Sequence, residues 1–178
     1  MSSTGSEDQT IDFSLDVIPV TYVGKNEIGD FEWMIRQPKL AENSLFIFND
    51  NVEDHLSSGF GMGNAAVRPY NRHGRYSSLP RSVGIPTGYS RRAGGFTGLT
   101  PEIRKIIDDS IDEIRRLVIK HGYRRIFFSA DSTKPGHRPQ IGTSIFKVNP
   151  EVISYITDSL YELHTPSLSF DSSSEDDS

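Results

Sequence analysis

The chain has 178 residues, 35% of them hydrophobic and 24% charged, a balance that suits one globular domain with a substantial core. Its formal net charge of −5 argues against a general nucleic-acid binder, because phosphate backbones are gripped through excess Lys and Arg. It contains no cysteine, which excludes disulfides and thiolate metal sites, and no run approaches the roughly 20 apolar residues that span a bilayer.

Residues 1–10 are polar and acidic, lack the basic region and apolar core of a signal peptide, and are expected to be disordered. The expected location is the cytoplasm, or the cytoplasm or nucleus of a host cell for a viral chain. The pattern Ile11-x-Phe13-x-Leu15-x-Val17 alternates strictly, as in a half-buried strand. Pro19 interrupts it, and residues 20–23 continue as an edge, where proline is tolerated. Gly24-Lys25-Asn26 signals a turn. Residues 31–36 read as another short strand with Trp33 as a core anchor, and residues 38–43 as a connection. Leu45-Phe46-Ile47-Phe48 has the composition of a buried strand, closed by Asn49-Asp50-Asn51. Gly59-Phe60-Gly61-Met62-Gly63-Asn64 forms a glycine-rich loop, and Ala65-Ala66-Val67-Arg68 opens a helix.

Residues 68–92 hold Arg68, Arg72, Arg75, Arg81, Arg91 and Arg92 with no Asp or Glu, which predicts a positive surface beside the glycine loop. Within this stretch Ser82-Val83-Gly84-Ile85 is a second short strand, punctuated by Pro86-Thr87-Gly88-Tyr89. Residues 88–98, rich in Gly and Arg, read as a mobile loop. A long helix follows. Thr100 caps it, Pro101 suits its first position and Glu102 favours the positive end of its dipole. Ile103, Ile106, Ile107, Ile111, Ile114, Leu117 and Val118 keep one face buried, and His121-Gly122 ends it. Ile126-Phe127-Phe128-Ser129-Ala130 is then a strand reached by a β-α-β crossover, which implies parallel pairing. The polar loop after it carries Lys134, His137 and Arg138. Asn149-Pro150-Glu151 opens a second helix with Val152, Ile153, Ile156, Leu160 and Leu163 on one face, stopped by Thr165-Pro166. The division expected is a disordered acidic end at 1–10, one domain at 11–165 and a disordered, acidic, Ser-rich tail at 166–178.

In open α/β sheets, ligands sit outside the carboxyl ends of the strands. Two strands end in polar, glycine-rich loops between residues 45 and 89, so a phosphate-bearing small molecule is expected there. Glycine lets backbone N–H groups converge on an anion, and a following helix adds its positive end. The loop lacks both the Gly-Lys-Ser/Thr ending of a P-loop and the spacing of a dinucleotide fingerprint. Asn49, Asp50 and Asn51 at the strand end suit reading a base or ribose edge and positioning a water; a strand-ending turn is the alternative. His55, His73, His121, His137 and His164 show no metal-ligand spacing, so no metal and no cofactor is expected. His121 and His164 read as structural groups at helix C-termini.

The series Leu45-Phe46-Ile47-Phe48-Asn49-Asp50-Asn51, Gly61-Met62-Gly63-Asn64-Ala65-Ala66-Val67-Arg68 and Val83-Gly84-Ile85-Pro86-Thr87-Gly88 resembles a family of uncharacterised phage and bacterial proteins. That family is similar in layout to macro domains, which bind ADP-ribose. The resemblance covers roughly residues 45–163. It implies a three-layer, macro-like α/β domain with a mixed, mostly parallel sheet and helices on both faces. It also implies binding of ADP-ribose or a related nucleotide. Backbone amides of 61–64 and of Thr87 and Gly88 would cradle the diphosphate, Asn51 would hold a ribose hydroxyl, and Asp50 would read the base or orient a water. On this basis Asp50 and Asn51 are the candidate catalytic residues. Asn49, Gly61, Gly63, Asn64, Arg68, Thr87, Gly88 and Gly95 are the candidate ligand contacts. Turnover, if any, would be hydrolysis of an ADP-ribosyl or phosphoryl bond by a positioned water. Two alternatives stay open: non-catalytic sequestering of a nucleotide signal, as in a phage protein that counters a host defence, and a structural or interaction protein that meets partners through the basic loop or acidic tail.

Overall fold

Strand β2, Ser44–Asn51, is the spine of the molecule, and all of its residues but Asn49 are buried. The structure, a computed structural model, describes residues 14–76, 78–131, 136–143 and 146–164. The acidic ends at 1–10 and 166–178, and the expectations for Ile11, Phe13, Lys134 and Thr165-Pro166, lie outside the described residues.

The chain is mixed α/β. Strands β1 (Asp16–Thr21), β2, β3 (Ser82–Ser90), β4 (Gly94–Gly95) and β5 (Arg125–Ala130) form one sheet in the order β1-β5-β2-β3-β4. The β1–β5, β5–β2 and β2–β3 pairs are parallel, and only the two-residue β4 runs antiparallel to its neighbour. The helices are α1 (Phe31–Met34), α2 (Pro38–Ala41), α3 (Pro101–His121) and α4 (Pro150–Glu162), with a 3₁₀ helix at Gly63–Tyr70.

Side chains alternate across a strand, so each strand feeds two cores. Leu45 and Ile47, Val83 and Ile85, and Ile126 and Phe128 pack with the apolar stripes of α3 and α4. Phe46, Phe48 and Phe127 pack instead with Phe31, Met34 and Ile35 around α1 and with Val67 of the 3₁₀ helix. Phe46 is the pivot of this second core, stacked on Phe127 at 5.4 Å and edge-on to Phe31 at 5.1 Å.

The two long helices form where expected. Thr100 Oγ1 accepts from the Ile103 N–H, Asn149 Oδ1 accepts from the Glu151 N–H, and Gly122 closes α3 at φ +68°. The crossover through α3 delivers β5 parallel to β2. Residues 31–36 correct an expectation: they open with a short helix, not a strand. Phe31, Met34 and Ile35 are the buried residues, at the i, i+3, i+4 spacing of one helical face, and Trp33 is only partly buried. Residues 38–41 of the expected connection are helical as α2. Arg125 ties α2 to the sheet by donating from Nη2 to the carbonyls of Lys39, Leu40 and Glu42. Both strands thought to stop at polar residues run on, β2 through Asn51 and β3 through Ser90.

Prolines sit in β1 and β3. The Asp16 N–H donates to Arg124 O, so even-numbered backbone groups of β1 face β5 and Pro19 faces outwards. The Phe46 N–H donates to Arg81 O, so the same alternation turns Pro86 of β3 away from β2.

Asn64 holds α1 from a distance. Its Oδ1 accepts from the Phe31 N–H at 2.9 Å, and its Nδ2 donates to Gly29 O at 3.0 Å and to Ser129 Oγ at 2.9 Å. Replacing Asn64 by Ala strands these buried groups and is expected to cost about 2 kcal/mol, a fall of about 4–8 °C in melting temperature. An unchanged thermal unfolding midpoint would remove this role.

Candidate functional site

The pleat of β2 sends Asp50 towards the side of Phe46 and Phe48, where a charge has no water to face. There Arg68, near the end of the 3₁₀ helix, meets it with two parallel contacts, Nε to Oδ2 at 2.8 Å and Nη2 to Oδ1 at 2.5 Å. The side chains are 1% and 7% exposed. Burial works to lower the Arg68 pKa, but the hydrogen bonds and charge of Asp50 outweigh it and hold the guanidinium above its ordinary value. The remaining nitrogen, Nη1, donates to Gly59 O at 3.2 Å. The pair thereby fixes the glycine loop to the sheet. Gly84 of β3 makes room for it, since a Cβ there would lie 2.8 Å from Asp50 Oδ2.

Most of the sequence-predicted site residues gather around this pair. Gly61 lies against it, with space for a Cβ already taken by Ala65 and the Arg68 guanidinium. Thr87, fully buried, approaches Asp50 O with its hydroxyl at 3.5 Å. Asn51 pairs with Gly88 across a register shift, and Gly88 pairs with Gly95 of β4. Gly63 opens the 3₁₀ helix at φ +58°, with open space where a Cβ would project. The glycine loop also meets the turn between β3 and β4, where Arg91 Nη2 contacts Met62 Sδ.

Several polar side chains expected to face a ligand are committed to the protein. Asp50 belongs to the ion pair. Asn51 closes a turn, accepting from the Asp54 N–H at 2.9 Å and donating to Asp54 Oδ2 at 3.1 Å. Asn64 is spent on α1 and β5. Asn49 differs: it is half-buried and has no hydrogen-bond partner among the described residues. By strand alternation it points to the same side as Leu45 and Ile47, opposite Asp50.

Asn49 stands where the sheet parts. The β2–β5 ladder ends at Ile47–Phe128, while β2 continues to Asn51 and β5 to Ala130. Beyond that point residues 140–142 take the place beside β5 that β2 leaves: Ala130 bridges Ile141 antiparallel, the Asp131 N–H donates to Gln140 O and the Gly142 N–H donates to Ser129 O. The chain leaving β2 forms the 3₁₀ helix on the Phe46 side, and the chain leaving β5 leads to α4 on the Leu45 side. The carboxyl end of β2, where Asn49 lies, is the edge at which α/β sheets hold ligands. Asn49 is a candidate contact by residue type already in the sequence, and its odd-numbered phase within the apolar run is what sets it apart from Asp50.

The arginine-rich stretch does not form one positive surface. Arg68 is neutralised by Asp50, Arg72 Nε lies 2.8 Å from Glu113 Oε2, and Arg81 donates to Ala41 O. Arg72 reaches Glu113 across a cavity of about 820 Å³ between α3 and the outer side of β3. His73 lines it. Desolvation by the cavity wall, then the charge of Arg72, lower the His73 pKa below the ordinary 6.5 despite an opposing pull from Glu113. Among the described residues no group of three or more His, Asp and Glu is placed to hold a metal ion, and no helix is long and apolar enough to cross a membrane.

Breaking the ion pair from one side, Asp50→Asn or Arg68→Met, is expected to cost about 3–5 kcal/mol by leaving a buried charge alone. The double variant Asp50→Leu with Arg68→Met is expected to lose less than the sum of the losses of Asp50→Leu and Arg68→Met alone, as chemical denaturation of these three and the parent would measure. For His73, the depressed pKa means that the fold favours the neutral ring. Its contribution to stability is present above about pH 6.5 and is lost as pH falls towards the folded-state value. An NMR titration should give a midpoint below 6.5 that rises in Arg72→Gln. Comparison of the chain with known protein families, with curated proteins and with solved structures finds no match.

Proposed function

We propose that the protein binds ADP-ribose or a related nucleotide over the carboxyl end of β2. The observation that carries this reading is the end of β2, where the half-buried side-chain amide of Asn49 has no hydrogen-bond partner among the described residues. In this reading Asn49 hydrogen-bonds a ribose hydroxyl or a base edge. The glycine loop and the turn between β3 and β4, which touch through Met62 and Arg91, offer backbone amides to the diphosphate. A three-layer, macro-like architecture is part of the same proposal, supported by the alternating strand residues that feed a helical core on either side.

Asp50 then acts at one remove. It positions the glycine loop through Arg68 and does not touch the nucleotide. Asp50 and Asn51, the groups suited to activating a water, both spend their side chains on protein partners. That favours holding the nucleotide without turnover over hydrolysing it. One observation favours a different reading. Phe60 and Met62 on the glycine loop are 69% and 72% exposed, as suits a loop that meets another protein.

Thermal unfolding with ADP-ribose, NAD, AMP and cyclic dinucleotides separates these readings. A ligand at about 100 times its Kd adds about 2.7 kcal/mol, a rise of about 5–10 °C. We expect that rise with ADP-ribose and recovery of the compound intact by chromatography. Asn49→Ala should weaken binding about tenfold while leaving the melting temperature of the free protein nearly unchanged. Gly63→Val, which forces a branched side chain to positive φ, should weaken it further. No shift with any nucleotide would sink the proposal in favour of the interaction protein.

A further inference from the structure

The cavity between α3 and β3 lies along the outer flank of β3, and the nucleotide reading at the end of β2 makes no use of it. Its floor is the outer flank of β3 at Ser82, Val83 and Gly84, which β4 leaves unpaired because its two residues reach only Gly88 and Ser90. One wall is the Asp109–Arg116 side of α3, and the other comprises His55 and residues 71–73. At about 820 Å³ it falls within the range of small-molecule sites.

The polar groups of this cavity are only half satisfied. Glu113 draws Arg116 to Oε1 and Arg72 to Oε2. Arg72 Nε lies 2.8 Å from Oε2 without pointing its hydrogen there, so this fully buried oxygen keeps an unmet need for a donor. Ser110, 6% exposed on the cavity face of α3, has a hydroxyl with no hydrogen-bond partner among the described residues. His55 is fixed by its Nδ1 at 3.0 Å from Val52 O, which leaves Nε2 as the free ring nitrogen. Acceptors that want a donor thus stand beside two guanidinium groups oriented by one carboxylate.

We propose that this cavity is a second binding site, which takes a hydroxyl-bearing anion of the sugar phosphate class. The anionic group lies between Arg72 and Arg116, whose forked donors match phosphate oxygens. A sugar hydroxyl donates to Glu113 Oε2, and a second exchanges a hydrogen bond with Ser110 Oγ. An anion without hydroxyls leaves Glu113 unsatisfied, and a neutral sugar leaves the arginines unused, so the two halves of the ligand are needed together.

Calorimetry with ribose 5-phosphate, inorganic phosphate and ribose tests this on the full chain. Ribose 5-phosphate should bind at least about tenfold more tightly than either fragment. Arg72→Gln and Ser110→Ala should each weaken it about tenfold at an unchanged melting temperature. Amide NMR shifts should centre on residues 82–84 and 109–116. Binding of inorganic phosphate as tight as that of ribose 5-phosphate would overturn the proposal, because the site would then be a plain anion patch. Absence of ribose 5-phosphate binding at millimolar concentration would overturn it too. So would binding that survives Arg72→Gln and is lost in Asn49→Ala, which would put the sugar phosphate at the end of β2.

Discussion

The buried pair of Asp50 and Arg68 is the constraint on which this structure turns. Two charges have left water at a cost of several kcal/mol each, which only a double, well-directed contact offsets. Once made, the pair dictates its surroundings. It demands glycine at position 84, it fixes the register of the 3₁₀ helix beneath β2, and it anchors the glycine loop through Gly59. The loop at the carboxyl end of β2 is therefore held from below by a guanidinium. Such a loop can be rigid before any ligand arrives, which reduces the ordering cost of binding.

A consequence of the pleat is that β2 has a structural side and an available side. The even-numbered residues Phe46, Phe48 and Asp50 build the core around α1 and end in the ion pair. The odd-numbered Leu45 and Ile47 build the core under α3 and α4, and Asn49 follows them in phase at the carboxyl end of the strand. One strand thus carries the buried ion pair and the half-buried amide of Asn49 on adjacent residues. A shift of one residue in register would exchange the two roles.

Much of this was legible in the sequence, for local reasons. The caps at Thr100 and Asn149, the glycine at 122 and the apolar stripes of α3 and α4 are signals that act within a few residues. Their helices follow, as do β2, β3 and the parallel β5. What escaped is non-local or short. Helix α1 has four residues, and its N-terminal amide is capped by Asn64 from 33 positions away, so no local cap announced it. The arginine-rich stretch looked uniformly positive because its acidic partners, Asp50 and Glu113, lie outside it in the chain. Sequence alone assigned ligand roles to Asp50, Asn51 and Asn64, and could not see that folding spends these side chains on partners brought near by topology.

The β1 flank of the sheet carries a proline whose nitrogen faces outwards, Pro19. A proline has no N–H, so the ladder that a neighbouring strand would read there is missing one rung. A second copy of the chain brought against this edge meets that gap, and growth of the sheet into a fibre is interrupted there. The opposite flank needs no such guard along β3, whose residues 82–88 are buried.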